Sequence, residues 1–303
     1  MQNKKLKFFV TGANGQLGTD LVKEILKRNY ECVGSDITEN FSGEENFEYV
    51  KLDITNYENV NKVIKSVNPD RVIHCAAWTA VDAAEDDANK KVVRAVNVTG
   101  TENIAKACKN NNCVMTYIST DYIFHGNGTD AWKPDEKNFE PLNFYGQSKL
   151  DGELAVKENL EKFFIVRIAW AFGPHGRNFV ETMLRIAEKH DTIRVVNDQI
   201  GTPTYTPDLA KLLVDINETE KFGIYHATNE GGFISWYDFA CEIFKQAGVN
   251  VNVVPVTTEE YGLSKAKRPF NSRLDKSKLS ESGFELLPDW RDALRRYLNA
   301  NKS

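Results

Sequence analysis

Tyr145 and Lys149 are four residues apart, a spacing that places both side chains on the same face of a helix. An ammonium group beside a phenol stabilises the phenolate, so the tyrosine pKa, ordinarily about 10, should fall toward neutral pH. The pair could then transfer a proton as general acid or base. Upstream, Thr120 should lie at the carboxyl end of a buried strand, where its hydroxyl could polarise a carbonyl group. Tyr-x-x-x-Lys also arises by chance in a chain with 11 tyrosines, so the motif needs a cofactor site nearby.

The first part of the chain predicts such a site. The apolar run Lys7 to Val10 leads into a glycine-rich turn, after which apolar residues recur at helical spacing. Glycines let the backbone approach a pyrophosphate, whose charge meets the free N–H groups at the start of the helix. Asp36 follows a second predicted strand, about where an acid that binds the adenosine ribose is expected. The sequence therefore predicts dinucleotide binding by Asp36 and by the turn residues Gly12, Asn14, Gly15, Gln16, Leu17 and Gly18.

Length and composition are typical of an enzyme with two lobes. The chain has 303 residues, of which 41% are hydrophobic, and no apolar run approaches the roughly 20 residues that span a bilayer. Its five cysteines lack metal-binding or redox spacing, which predicts buried thiols of a cytoplasmic protein and no metal site. A formal charge of -5 argues against a nucleic-acid surface. We expect no membrane or nucleic-acid partner, and a homodimer stays open.

Strands and helices alternate along the first half of the chain. This order predicts an α/β fold with a doubly wound parallel sheet, the Rossmann arrangement. The alternation breaks after Ile168, so we predict a Rossmann domain over residues 1–168 and a smaller C-terminal α/β substrate lobe over residues 169–303. The boundary is soft, and the chain could cross back over it. Within this pattern His74 is predicted to be a core histidine, Thr206 to cap a helix, and Asn97 to Thr101 to mark a helix kink.

At this point the motifs resemble a known family. Gly-x-x-Gly-x-x-Gly at the first turn and Tyr-x-x-x-Lys after the fifth strand resemble the extended short-chain dehydrogenases. More narrowly, Ser119 to Phe124, Arg167 to Trp170 and Asp198 to Thr204 look like the dTDP-4-dehydrorhamnose reductases, and the resemblance covers nearly the whole chain. It implies that Thr120, Tyr145 and Lys149 are catalytic. Departures from the family pattern are Cys75, where asparagine is more usual, and Ala169, where a small hydroxyl residue is common.

The resemblance also implies binding residues beyond the first turn. On the cofactor side we expect Asp53, Ile54, Ala76, Ala77 and Trp78, with Tyr145 and Lys149. On the substrate side we expect Thr120, Asp121, Tyr122, Trp170, Asn178, Gln199 and Arg268. Trp170 and the polar loop from Asp198 to Thr204 are predicted to grip a nucleotide sugar. The alternative is that Trp170 is a core residue and that Asp198 caps its own loop.

The expected reaction is reduction by NAD(P)H of the C4 keto group of dTDP-4-dehydro-L-rhamnose, giving dTDP-L-rhamnose for cell-surface polysaccharide. Tyr145 would donate the proton, Thr120 would donate a hydrogen bond to the same oxygen, and Lys149 would support both tyrosine and cofactor. Because Asp36 would repel a 2′-phosphate, we expect NADH, with NADPH as the alternative.

Two other functions stay open on the same scaffold. One is a nucleotide-sugar epimerase or dehydratase. The other is a non-catalytic subunit resembling the regulatory subunit of methionine adenosyltransferase, which the intact Thr120, Tyr145 and Lys149 disfavour.

Overall fold

The computed structural model of the chain describes residues 5–43 and 47–300. Its strands, in chain order, are β1 (Lys7–Thr11), β2 (Glu31–Asp36), β3 (Glu48–Lys51), β4 (Arg71–His74), β5 (Val114–Thr120), β6 (Phe163–Ile168), β7 (Ala171–Phe172), β8 (Thr192–Val196), β9 (Ile200–Gly201), β10 (Thr204–Tyr205), β11 (Gly223–His226), β12 (Asn229–Glu230), β13 (Ile234–Ser235), β14 (Asn252–Val256) and β15 (Leu287–Asp289). The helices are α1 (Gln16–Lys27), α2 (Tyr57–Val67), α3 (Val81–Ala84), α4 (Asp87–Arg94), α5 (Thr101–Asn110), α6 (Phe144–Asn159), α7 (Phe179–Ala187), α8 (Thr206–Asn217), α9 (Trp236–Ala247), α10 (Thr258–Tyr261), α11 (Ser277–Glu281) and α12 (Trp290–Ala300).

Seven strands form one sheet in the order β11-β6-β5-β4-β1-β2-β3, and every pairing in it is parallel. Adjacent residues of β1 serve opposite faces of this sheet: Phe8 packs in the core beneath α1 and α8, whereas Phe9 packs in the core beneath α2 and α5. Both faces are therefore covered by helices, as a parallel sheet requires. The predicted doubly wound fold is confirmed.

A second core lies beyond the sheet. It is built around Phe172, Phe239 and Trp290, and its helices are α7, α9 and α12. Helix α9 begins at a capping box in which the Ser235 hydroxyl accepts from the Asp238 N–H and the Asp238 carboxylate accepts from the Ser235 N–H. This core forms the wall that faces the carboxyl end of the main sheet.

The chain returns to the main sheet after residue 169. Helix α8 packs in the core that α1 also covers, and β11 pairs with β6 in register from Gly223 opposite Phe164. Residues 206–226 therefore pack with the main sheet, and Leu279 of α11 and Leu287 of β15 lie in the same core, so the chain returns across the predicted boundary more than once. The cap prediction for Thr206 is wrong, because Tyr205 is the N-cap and Thr206, the first residue of α8, donates its hydroxyl hydrogen to the Phe172 carbonyl.

His74 is a core histidine, as predicted. Its ring lies between the hydroxyls of Thr11 (2.6 Å) and Thr101 (3.1 Å), and burial, with a contribution from the charge of Lys149, lowers its pKa to about 3. The predicted kink is a π-helical turn over Ala95–Gly100. There the buried Asn97 amide accepts from the Trp78 N–H and donates to Ser148 Oγ on α6, so the turn connects the loop after β4 to the helix that carries Tyr145.

None of the helices in the described part of the chain has the length and apolar character needed to cross a membrane.

Candidate active site

A cavity of about 760 Å³ lies at the carboxyl edge of the main sheet, between the sheet and the second core. Open α/β sheets bind ligands at this edge. The three predicted catalytic residues Thr120, Tyr145 and Lys149 all line the cavity, although they come from two separate elements. A smaller cavity of about 220 Å³ shares Gly12, Gly15, Cys75 and Ala77 with the larger one. The glycine turn therefore lies where the two cavities meet.

The glycine turn fits a pyrophosphate. Gly12 has a φ of +69°, and a Cβ there would lie 2.6 Å from the Ala76 nitrogen, so only glycine is accommodated. A Cβ at Gly18 would clash with the Gly12 carbonyl oxygen. Helix α1 begins with Gly15 as N-cap, without a side-chain cap and without an acidic residue in its first turn. Its N–H groups can therefore meet an anion, and the buried Nε2 of Gln16 has no partner among the described residues.

The smaller cavity fits the adenosine end of a dinucleotide. Asp36, Asp53, Ile54, Ala76 and Ala77 line it. The Asp36 carboxylate is fixed at the end of β2 because its two oxygens accept from the backbone N–H groups of Asn14 (3.1 Å) and Ile37 (2.7 Å). All five were predicted to bind the cofactor, and the cavity brings them together.

Two predicted cofactor residues stand outside both cavity linings. The Asn14 amide instead fixes the turn after β2, donating to Thr38 and accepting from Ser42. Trp78 is held through its backbone by Asn97, and its indole N–H donates to the Ala80 carbonyl. Both residues support the cavity wall through these hydrogen bonds, and their contact with a cofactor stays a prediction.

Tyr145 is positioned by the first turn of α6. The Asn143 side chain caps this helix by accepting from the Gly146 N–H (2.8 Å), and Glu85 accepts from the Phe144 N–H (2.7 Å). The prediction of a lowered tyrosine pKa is wrong for the free protein. Burial raises the pKa of Tyr145 above its ordinary value, the Asp121 charge adds to the rise, and only the hydrogen bond with Thr120 opposes it. Tyr145 is therefore protonated and able to act as an acid.

Lys149 lies one turn further along α6 and is 4% exposed. Its ammonium group stands over the Tyr117 ring, 4.1 Å from the centroid. Burial lowers the pKa of Lys149 to about 7, while the charge of Glu153 opposes this shift. The free site thus holds a lysine whose protonation can change near neutral pH.

Thr120 ends β5 and is hydrogen-bonded on both sides. Its hydroxyl donates to Asp121 Oδ1 (3.1 Å) and accepts from the Tyr122 N–H (3.3 Å). Burial raises the pKa of Asp121 to about 6, against hydrogen bonds with Ser272 and Thr120. The Tyr122 ring packs edge-on against Tyr145, with 5.6 Å between centroids. All of these side chains except Ser272 face the large cavity.

Comparison with known proteins assigns the chain to a family. The family model for the RmlD substrate binding domain matches residues 6–303. A dTDP-4-dehydrorhamnose reductase of Aggregatibacter actinomycetemcomitans is 40% identical over 303 residues, covering 95% of this chain and 97% of that protein. This chain belongs to the dTDP-4-dehydrorhamnose reductase family.

Two further proteins are similar to nearly the whole chain. The spore coat polysaccharide biosynthesis protein SpsK of Bacillus subtilis (strain 168) is 36% identical, with 98% of each chain covered. The crystal structure of a dTDP-4-dehydrorhamnose reductase from Bacillus anthracis str. Ames in complex with NADP is 39% identical and superposes with a TM-score of 0.89, covering 98% of this chain and 100% of that one. The predicted family and enzyme class, an oxidoreductase of the dTDP-4-dehydrorhamnose reductase type, are confirmed.

In this member of the reductase family Trp170 has an unusual backbone. Its φ is +52°, a left-handed conformation that is rare for a bulky residue and concentrates at functional sites. Its indole lines the cavity and stacks on Trp236, with 3.8 Å between centroids and an interplanar angle of 17°. A Cβ at Gly201 of β9 would lie 2.9 Å from the indole, so a side chain there would require the indole to shift. The strained backbone aims an aromatic surface into the site.

Of the remaining predicted substrate residues, some line the cavity and others do not. Gln199 and Arg268 line the cavity, and Arg268 forms a bidentate ion pair with Asp82 (2.7 and 3.0 Å). Asn178 does not line it, because its amide caps α7 at Glu181 N–H and donates to the Gly173 carbonyl. Asp198 does not cap its own loop, because its carboxylate accepts from the N–H and the hydroxyl of Thr258, the first residue of α10.

Sequence reasoning missed several lining residues of the second core. They contribute two cations and a set of apolar and aromatic side chains, namely Arg177, Phe179, Met183, Arg194, Trp236 and Tyr261. No motif marks these positions, since they reach the cavity only through the packing of the second core. The sole available signal is Arg177 in a polar loop after the break in alternation.

Proposed function

We propose that this protein reduces the C4 keto group of dTDP-4-dehydro-L-rhamnose with NADH or NADPH, giving dTDP-L-rhamnose. One observation carries the proposal: Thr120, Tyr145 and Lys149 line the same cavity as Gly12, Gly15 and Gly18 of the glycine turn, at the carboxyl edge of the sheet. A carbonyl placed there can meet both a proton donor and a nicotinamide. Membership of the reductase family supports the choice of sugar nucleotide.

The residues have distinct roles in this reaction. A bound reduced nicotinamide supplies the hydride to C4. Tyr145, held protonated by burial, donates its phenolic proton to the oxygen that becomes an alkoxide. Thr120 donates a hydrogen bond to that oxygen when its hydroxyl turns from Asp121. The cationic form of Lys149 stabilises the phenolate left on Tyr145 after the transfer.

For the cofactor we propose a preference for NADH with use of NADPH retained. The Asp36 carboxylate is fixed by two backbone N–H groups and lines the smaller cavity, where it suits a ribose 2′-hydroxyl. A 2′-phosphate would meet the repulsion of this carboxylate. The related Bacillus anthracis protein was crystallised in complex with NADP, which supports retained use of NADPH.

The experiment is steady-state oxidation of NADH and NADPH by the purified protein with dTDP-4-dehydro-L-rhamnose, followed by NMR of the product. We expect stoichiometric cofactor oxidation and a sugar with the rhamno configuration at C4. An epimerase would convert the sugar without net oxidation of added cofactor, and a non-catalytic subunit would leave both unchanged. Either result would contradict the proposal.

A further inference from the structure

The sequence from the end of β2 to the end of β3 is strongly acidic. Residues 36–51 contain one cation, Lys51, and five carboxylates, at Asp36, Glu39, Glu44, Glu45 and Glu48. The Asp36 carboxylate lines the smaller cavity and is fixed by two backbone N–H groups. A cofactor that carries a 2′-phosphate would therefore meet a fixed negative charge, and it needs a cation at this position to offset the repulsion.

Lys51 is the cation that the sheet places beside Asp36. Strand β3 pairs in parallel with β2, and the register puts Lys51 directly opposite Asp36. Opposed residues of paired strands direct their side chains to the same face of a sheet. The Lys51 ammonium forms an ion pair with Glu39, in the segment that follows β2. The lysine side chain is 52% exposed and the glutamate side chain 72%, so water weakens this ion pair.

The segment that carries Glu39 is held in place without the ion pair. The side-chain amide of Asn14, in the glycine turn, donates to the Thr38 hydroxyl (2.6 Å) and accepts from the Ser42 N–H (2.7 Å). Separation of Lys51 from Glu39 therefore leaves these contacts intact. Lysine carries its charge on a flexible four-carbon stem, so the ammonium can turn to a new partner while the backbone stays where it is.

We propose that Lys51 exchanges Glu39 for the 2′-phosphate when NADPH binds, and that this exchange sets how well NADPH competes with NADH. The inference rests on the cofactor part of the proposed function and adds the residue that offsets Asp36. Binding of NADH leaves the ion pair intact, because its ribose carries a hydroxyl in place of the phosphate. Glu39 opposes NADPH in two ways, since it holds the lysine and also repels the phosphate.

The test is calorimetric binding of NADPH and of NADH, without sugar nucleotide, to wild type, Lys51→Met, Glu39→Gln and the double variant. Lys51→Met should weaken NADPH binding about three- to tenfold, the range for losing a charged hydrogen bond at an exposed position, and should change NADH binding by less than about twofold. Glu39→Gln should strengthen NADPH binding about two- to fivefold. This gain should be smaller when Lys51 is already methionine, because only the repulsion is then removed.

Lys106→Met is the matched control, because Lys106 is 45% exposed, pairs with Glu102 on α5 and lies outside both cavity linings. It should leave both affinities unchanged. Equal changes of NADPH and NADH affinity in Lys51→Met, or no change in either, would overturn the exchange. A Glu39→Gln gain of the same size with and without Lys51 would also overturn it. Binding is measured without the sugar nucleotide, so failure of the reductase reaction would not alter these affinities.

Discussion

Lys149→Met should make the protein more stable while it removes activity. The side chain is 4% exposed, and burial lowers its pKa from 10.5 to about 7. This difference corresponds to a folding cost of roughly 4 to 5 kcal/mol when the lysine is protonated in both states. Methionine fills the same space without a charge, but it forfeits the contact with the Tyr117 ring, worth about 0.5 to 2 kcal/mol. The net gain should be about 2 to 4 kcal/mol.

The stability gained by Lys149→Met must decrease as the pH rises. Between about pH 7 and 10.5 the unfolded chain binds more protons at this lysine than the folded protein does. The folding cost is therefore complete below pH 7 and disappears as the pH rises toward 10.5. Accordingly, the methionine variant should lose its advantage over the same range.

The assay is urea unfolding of both proteins at pH 6, 7, 8.5 and 10, values chosen to span about the range of the titration. Lys245→Met is the control, because that lysine is 76% exposed and should shift stability by less than about 1 kcal/mol. A methionine variant that is no more stable at pH 6, or whose gain is the same at every pH, would refute the reasoning. Confirmation would show that the site keeps a buried cation for chemistry at the expense of stability.

Four other substitutions give specific outcomes. Tyr145→Phe should lower kcat by a factor on the order of 10² to 10⁴ with cofactor affinity unchanged, and turnover near that of wild type would remove Tyr145 from the chemistry. Asp36→Ala should raise kcat/KM for NADPH relative to NADH. An unchanged ratio would show that this carboxylate does not discriminate between a ribose 2′-hydroxyl and a 2′-phosphate. Trp170→Ala should raise KM for the sugar nucleotide only, while a loss of roughly 3 to 5 kcal/mol with normal KM would make Trp170 a core residue. Because its φ is +52°, Trp170→Gly should be about 1 kcal/mol more stable than Trp170→Ala in thermal unfolding.

The nucleotide-binding half could be predicted from sequence because its signals are local. The glycine turn, the apolar run of β1 and the helical spacing after it all fall within residues 7–27, and the structure keeps them together. The spacing of Tyr145 and Lys149 likewise fixes their common helix face. The pKa of Tyr145 could not be read this way, because burial by distant segments decides it.

The lining residues of the second core were harder to predict from sequence, because their positions depend on packing between segments that are distant in the chain. Asn178 was predicted to contact substrate, yet its amide is used to start α7. Arg194 reaches the cavity from the second core, where β8 pairs with β14, some 60 residues away in sequence. The return of β11 to the main sheet is equally long-range, and no local pattern near Gly223 indicates it.

The most direct test of the proposed reduction is transfer of deuterium from NADPH labelled at the nicotinamide C4 to dTDP-4-dehydro-L-rhamnose. Mass spectrometry and NMR of the product should show one deuterium at C4 of the rhamnose for each cofactor oxidised, at equal rates of appearance and oxidation. A product without deuterium at C4, or a change of sugar configuration without cofactor oxidation, would contradict the claim that this cavity performs a net reduction at the carbonyl beside Tyr145.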